Sequence, residues 1–100
     1  MLTLPPTEVQ RIKVTVSCPA GLHVRCAFKL VHCIRRFASR VLIRRGTLAV
    51  DGKSLLNLLV LGAEYGTELE IEARGKDSIE ALEAIKTYFN CEEEIDSNIN

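Results

Sequence analysis

The chain has 100 residues, 47% of them apolar, and its 13 basic and 13 acidic side chains cancel. Such a length and apolar share suit one soluble globular domain with a modest core, and the lack of net charge argues against nucleic acid or an anionic membrane as the main partner. The longest apolar run, Leu58 to Leu61 with Leu55 and Leu56 just before Asn57, falls far short of the ~20 residues that span a bilayer. The N-terminus lacks the basic-then-apolar order of a secretion signal. The four cysteines, Cys18, Cys26, Cys33 and Cys91, show no CxxC or other paired spacing, which favours free thiols in a reducing cytoplasm over a disulfide framework.

Residues 1–10 read as a loose leader, because Pro5-Pro6 disfavours helix and ladder alike. Ile12, Val14 and Val16 then alternate with Arg11, Lys13, Thr15 and Ser17, the period-two pattern of a strand with one wet face. Pro19-Ala20-Gly21 ends it in a loop. Ala27, Leu30 or Val31, Ile34 and Phe37 follow at helical spacing, with Lys29, Arg35 and Arg36 turned outward.

Val41 and Ile43 set against Arg40, Leu42 and Arg44 predict a second strand, and 47–50 a short third one after the turn at Gly46. Asp51-Gly52 is a turn signal leading into a short apolar helix over 54–61. Leu69, Ile71 and Ala73 alternate with Glu68, Glu70 and Glu72 in the cleanest strand of the chain. After Gly75-Lys76, Asp77 opens a last helix with Ile79, Leu82, Ile85 and Phe89 on its apolar face. Residues 91–100 are acidic, lack an apolar period, and read as a tail. The pattern is β-α-β-β-α-β-α over residues 11–90, and one-faced strands predict an α+β fold with a single sheet and all helices on one side.

Two features of this layout point to chemistry. Asp77 stands ready to cap the last helix, and Asp51 and Ser54 flank the start of the middle one, but the first helix opens at Gly21-Leu22-His23-Val24-Arg25 with no Ser, Thr, Asp or Asn. Free amide donors at a helix start attract anions, and here a nucleophilic imidazole stands beside them. Arg25, Lys29, Arg35, Arg36, Arg40, Arg44 and Arg45 also crowd the first half while the acids gather after residue 64. The first half therefore presents a basic surface suited to an acidic patch on a protein partner.

Residues 19–25 (Pro-Ala-Gly-Leu-His-Val-Arg) with Ala27, and the stretch Gly52-Lys53-Ser54-Leu55-Leu56-Asn57-Leu58 with Leu61-Gly62, resemble the HPr family of histidine phosphocarriers in the bacterial phosphotransferase system. The resemblance covers about residues 10–90. It implies an open-faced two-layer sandwich, a four-stranded antiparallel sheet in order 1-4-2-3 under three helices. It also implies that His23 accepts a phosphoryl group on Nδ1, ultimately from phosphoenolpyruvate by way of enzyme I, and hands it to A components of transporters. Arg25 would contact the phosphoryl group. Ser54 would be the target of an HPr kinase, and Leu55, Leu56, Leu59 and Val60 would form the docking patch around it. The implied protein is a cytoplasmic monomer without cofactor, a substrate of its partners rather than an independent catalyst.

One residue departs from the family pattern. Cys26 stands where the family has proline, restoring a backbone N–H and leaving φ free, so the first turn is less fixed than proline would make it. A thiol beside a helix N-terminus is readily ionised, which makes a redox-responsive or metal-binding domain using Cys26 a third reading. No metal is expected, because His23 and Cys26 converge across one turn but His32 and Cys33 are adjacent and diverge. A regulatory binding module, controlled through Ser54 with little part in sugar transport, is the main alternative to the carrier. With strands one and four paired, the glutamates at 68, 70 and 72 would face Arg11 and Lys13 across the sheet.

Overall fold

The computed structural model describes residues 9–99, with side chains described through residue 90; the first eight residues of the expected leader lie outside that range. Seven elements run in the expected order: β1 (Val9–Thr15), α1 (Val24–Ile34), β2 (Arg40–Arg45), β3 (Leu48–Asp51), α2 (Leu55–Leu61), β4 (Glu68–Arg74) and α3 (Ser78–Ile99). The strands form one antiparallel sheet in order β1-β4-β2-β3. Period-two alternation buries Val14, Val41, Ile43, Val50, Leu69, Ile71 and Ala73 on one face. Against them lie Ala27, Leu30 and Ile34 of α1, Leu58 and Leu61 of α2, and Leu82, Ile85 and Phe89 of α3. Fully covering a Leu or Ile contributes about 1.5–3 kcal/mol, so this single layer of contacts holds the fold.

Several boundaries differ from the sequence reading. β1 begins at Val9, whose partner is Arg74, so the last two residues of the expected leader belong to the sheet. Phe37 lies beyond the end of α1 in a turn. α3 runs unbroken to Ile99 through the stretch expected as a tail, because Ser78–Ile99 contains neither Gly nor Pro to stop it. Its buried stripe is Ser78, Ala81, Leu82, Ile85 and Phe89, and Ile79 sits one residue off that stripe, 52% exposed.

Asp77 does more than precede a helix. Its carboxylate accepts the amide N–H groups of Ala38 (2.8 Å) and Ser39 (2.9 Å) and the Ser39 hydroxyl, tying the α1–β2 connection to the start of α3. Burial pushes the Asp77 carboxyl up, but the hydrogen bonds from the Ser39 hydroxyl and the two amides outweigh it and hold the group below its ordinary value. Gly75 takes φ +146° against this segment, where a Cβ would stand 2.6 Å from Ser39 Oγ.

On the sheet's open face, Glu72 accepts Arg11 Nε at 2.9 Å from β1 and Arg44 Nη2 at 3.0 Å from β2. The β1–β4 register sets Arg11 opposite Glu72 as expected; Arg44, on the other flank, was not foreseen. The Arg11 hydrogen bond first, then that from Arg44, holds the Glu72 carboxyl below its ordinary value. A carboxyl depressed in the folded state stabilises the fold above its unfolded pKa of ~4.3 and loses that contribution as pH falls through the folded value. The wild-type urea midpoint should therefore drop as pH is lowered below ~4.3, and Glu72→Gln should flatten that drop while lowering the midpoint at neutral pH. Equal pH profiles for the two proteins would remove Glu72 from the account.

Candidate phosphoacceptor site

The loop between β1 and α1 is held from both sides. The Val16 amide donates to Thr67 O and the Val16 carbonyl accepts from Gly66, both at 2.9 Å, so the end of β1 is fixed beside the loop before β4. The chain then turns, with Gly21 N–H donating to Cys18 O at 2.8 Å. Gly21 adopts φ +81°, and a Cβ there would meet Ala63 O at 2.8 Å. Leu22, buried, donates its N–H to that same Ala63 oxygen at 2.8 Å. The loop thus lies against the end of α2, and only glycine fits at its closest approach.

His23 emerges exposed from this turn as the N-cap of α1, with φ −83° and ψ −176°. Its carbonyl accepts Ala27 N–H at 2.8 Å. Its ring nitrogen Nδ1 accepts Arg25 N–H at 3.3 Å. The expectation of an uncapped helix is thereby corrected: imidazole supplies the acceptor that Ser, Thr, Asp or Asn would have provided. With Nδ1 accepting from an amide, the neutral ring carries its proton on Nε2, which lies 3.7 Å from Cys26 Sγ. The same helix start that binds the ring would favour an anion in its place. Arg25 is exposed one residue inside the helix.

Cys18 and Cys26 are joined by a disulfide, contrary to the expected free thiols. The eight-residue separation carries no recognisable motif; it is the turn at Gly21 that folds the end of β1 back onto the first turn of α1. Both cysteines are buried. Cys26 is fixed a second way, since Tyr88 Oη donates to the Cys26 carbonyl at 2.8 Å from α3, and nearby Ser17 Oγ donates to Phe89 O at 2.7 Å. A first turn that lacks the family's proline is thus held by covalent and side-chain ties. Neither Tyr88 nor Ser17 carried a sequence signal. Cys33 is the free cysteine among the described residues, and burial pushes its thiol up despite the opposing charge of Arg36.

Ser54 is the N-cap of α2, its Oγ accepting Asn57 N–H at 3.2 Å and Asn57 Nδ2–H at 2.8 Å. Of the four residues expected around it, Leu56 and Val60 are 73% and 70% exposed. Leu55 and Leu59 turn partly inward and pack against the core. On α1, which packs on α2, Val24 and Phe28 are exposed as well. Among the described residues, no helix is long and apolar enough to cross a membrane.

Comparison with known proteins bears on this geometry. Residues 10–90 match the family model described as the PTS HPr component phosphorylation site. The chain is 37% identical over 70 residues to the phosphocarrier protein HPr of Treponema pallidum, covering 70% of this chain and 80% of that one. It is 36% identical over 80 residues to the HPr-like protein Crh of Bacillus subtilis, covering 80% and 94%. It is also 33% identical over 97 residues to a multiphosphoryl transfer protein of Xanthomonas campestris, where it covers 93% of this chain but spans only 12% of that longer protein. Among solved structures, a phosphocarrier protein HPr from Bacillus anthracis superposes with a TM-score of 0.78 at 31% identity, covering 81% of this chain and 96% of that one.

The left-handed turn is the element on which His23 depends most. Gly21→Ala should destabilise the fold by about 1–2 kcal/mol or more, from the positive φ and the approach to Ala63 O. Urea unfolding measures this, and an unchanged midpoint would show that the loop reaches α2 without needing glycine.

Proposed function

Because the chain belongs to the HPr family of phosphocarriers, we propose that His23 accepts a phosphoryl group from phosphorylated enzyme I and passes it to A components of the phosphotransferase system. The observation that carries this reading is the aim of Nδ1 at the amide end of α1. A lone pair directed there reacts where the product is best held, since the helix end offers N–H donors to the new oxygens. Nε2 instead faces the buried sulfur of Cys26, 3.7 Å away. Arg25 brings a planar, permanently charged donor pair beside the phosphoryl group. The exposed ring lets both partners reach it, and acid–base or metal assistance comes from them, so the protein is their substrate rather than a catalyst. Such partners place it in the cytoplasm.

Docking is assigned to the exposed apolar surface of α2, with Leu56 and Val60 as its outward residues and Leu55 and Leu59 as its inner margin. A second reading, supported by the likeness to Crh, is a regulatory module switched at Ser54 by an HPr kinase. The Ser54 hydroxyl already caps α2. A phosphoryl group there would bring a dianion to a helix start that tolerates it, while placing charge beside Leu56 where an apolar partner docks.

Purified protein incubated with phosphoenolpyruvate and enzyme I should gain one acid-labile phosphoryl group by mass. His23→Ala should accept none, and label retained in that variant would overturn the carrier reading. Arg25→Ala should slow acceptance by roughly 10-fold or more, the scale of a lost charge-assisted hydrogen bond. With ATP and HPr kinase, the wild type should gain an acid-stable phosphoryl group that Ser54→Ala does not; an unmodified wild type would dismiss the regulatory reading.

A further inference from the structure

Around the phosphoacceptor ring the protein gathers three metal-ligating side chains. Cys18 Sγ, Cys26 Sγ and a ring nitrogen of His23 all lie within 4.8 Å of one another. Ligand spacing in the sequence did not show this, because Cys18 reaches the group only through the turn at Gly21. Cys26 Sγ and His23 Nε2 are 3.7 Å apart. In a tetrahedral zinc site, with Zn–S of ~2.3 Å and Zn–N of ~2.05 Å, such a pair stands ~3.6 Å apart and a pair of thiolates ~3.8 Å apart. One of the two sulfur–nitrogen edges of that tetrahedron, Cys26–His23, is therefore already in place. The Cα atoms of Cys18 and Cys26 are 6.9 Å apart, the wide end of what a disulfide spans, which leaves room for the sulfurs to part once the bond between them is cut.

We propose that the reduced protein binds one thiophilic divalent cation, Zn2+, through Cys18 Sγ, Cys26 Sγ and His23 Nε2, and that this ion and the phosphoryl group exclude one another at His23. A dithiol supplies two electrons and two protons, cleaves the Cys18–Cys26 bond to two thiols and leaves as its own disulfide. Zinc then displaces the two thiol protons to solvent and takes the lone pair of Nε2. The ring keeps its single proton, which moves to Nδ1. Nδ1 no longer accepts Arg25 N–H and has no lone pair with which to attack phosphorus. The three-ligand set keeps a fourth position open, next to the exposed ring. Oxidised, Cys18 and Cys26 have no thiolates to offer and His23 remains a nucleophile; reduced and metal-loaded, the carrier is silent.

The test uses the whole chain, reduced with a non-thiol phosphine and titrated with Co2+ and then Zn2+ in the absence of any partner protein. One equivalent of Co2+ should give a thiolate-to-cobalt charge-transfer band, and Zn2+ should abolish it. Cys18→Ser and Cys26→Ser should each lose the band, and Cys33→Ser and Cys91→Ser should keep it. His23→Gln, at an exposed cap position that leaves the core intact, should weaken binding at least 10-fold. No band with reduced wild type, a band retained without Cys18 or Cys26, or binding indifferent to His23→Gln would overturn the proposal. Zn2+ should also block phosphoryl acceptance by reduced wild type, with recovery on chelation; acceptance unaffected by bound Zn2+ would refute the exclusion. A metal-free protein that never accepts phosphate would overturn the carrier reading while the cobalt result stands by itself.

Discussion

Strand β4 is paired along both edges, with β1 from Val9↔Arg74 to Thr15↔Glu68 and with β2 from Arg40↔Arg74 to Arg44↔Glu70. Its alternation sends Leu69, Ile71 and Ala73 wholly into the core and Glu70 and Glu72 to the other side. A one-residue slip would exchange those sets and put carboxylates under the helices. That constraint fixes where β1 ends, and the end of β1 fixes the loop that delivers His23. The arginine pair on Glu72 clasps the same three strands from the wet side, so register is specified on both faces of the sheet.

Much of this was written openly in the chain. The charged-apolar alternation of 68–73 and 40–44 left little choice of strand or face, and the Gly21-Leu22-His23-Val24-Arg25 motif marked the candidate phosphoacceptor loop. What stayed hidden depended on distances between segments far apart in sequence. No local pattern says that Asp77 will hold the amides of residues 38 and 39, that Tyr88 will reach the Cys26 carbonyl, or that Arg44 will share a carboxylate with Arg11. On α3, Leu82, Ile85 and Phe89 face the core as expected and Ile79 alone does not, for a related reason: Ser78 lies on the stripe that points inward, and packing chose phase over composition.

Cysteine usage illustrates the same limit more sharply. Spacing rules work for motifs in which both cysteines belong to one local structure, and Cys18 and Cys26 do not. One ends a strand approach and the other begins a helix. Their meeting is a product of the Gly21 turn, and it converts the missing proline from a looseness into a different kind of tether. The ties to α3, through Tyr88 and Ser17, then make the far end of the fold part of the support beneath the histidine.

That His23 caps its own helix has a consequence for how cargo is registered. In the empty state one backbone proton, on Arg25, rests against the very lone pair that the proposed chemistry consumes. Under the proposed transfer, a phosphoryl group on Nδ1 would remove that acceptor and bring oxygens to the same helix end, so the amide would exchange nitrogen for oxygen with the helix still capped. A carrier built this way would need no hinge and no refolding between its two states. Beyond the phosphoryl group itself, the two states would differ in the atom on which a single backbone hydrogen leans.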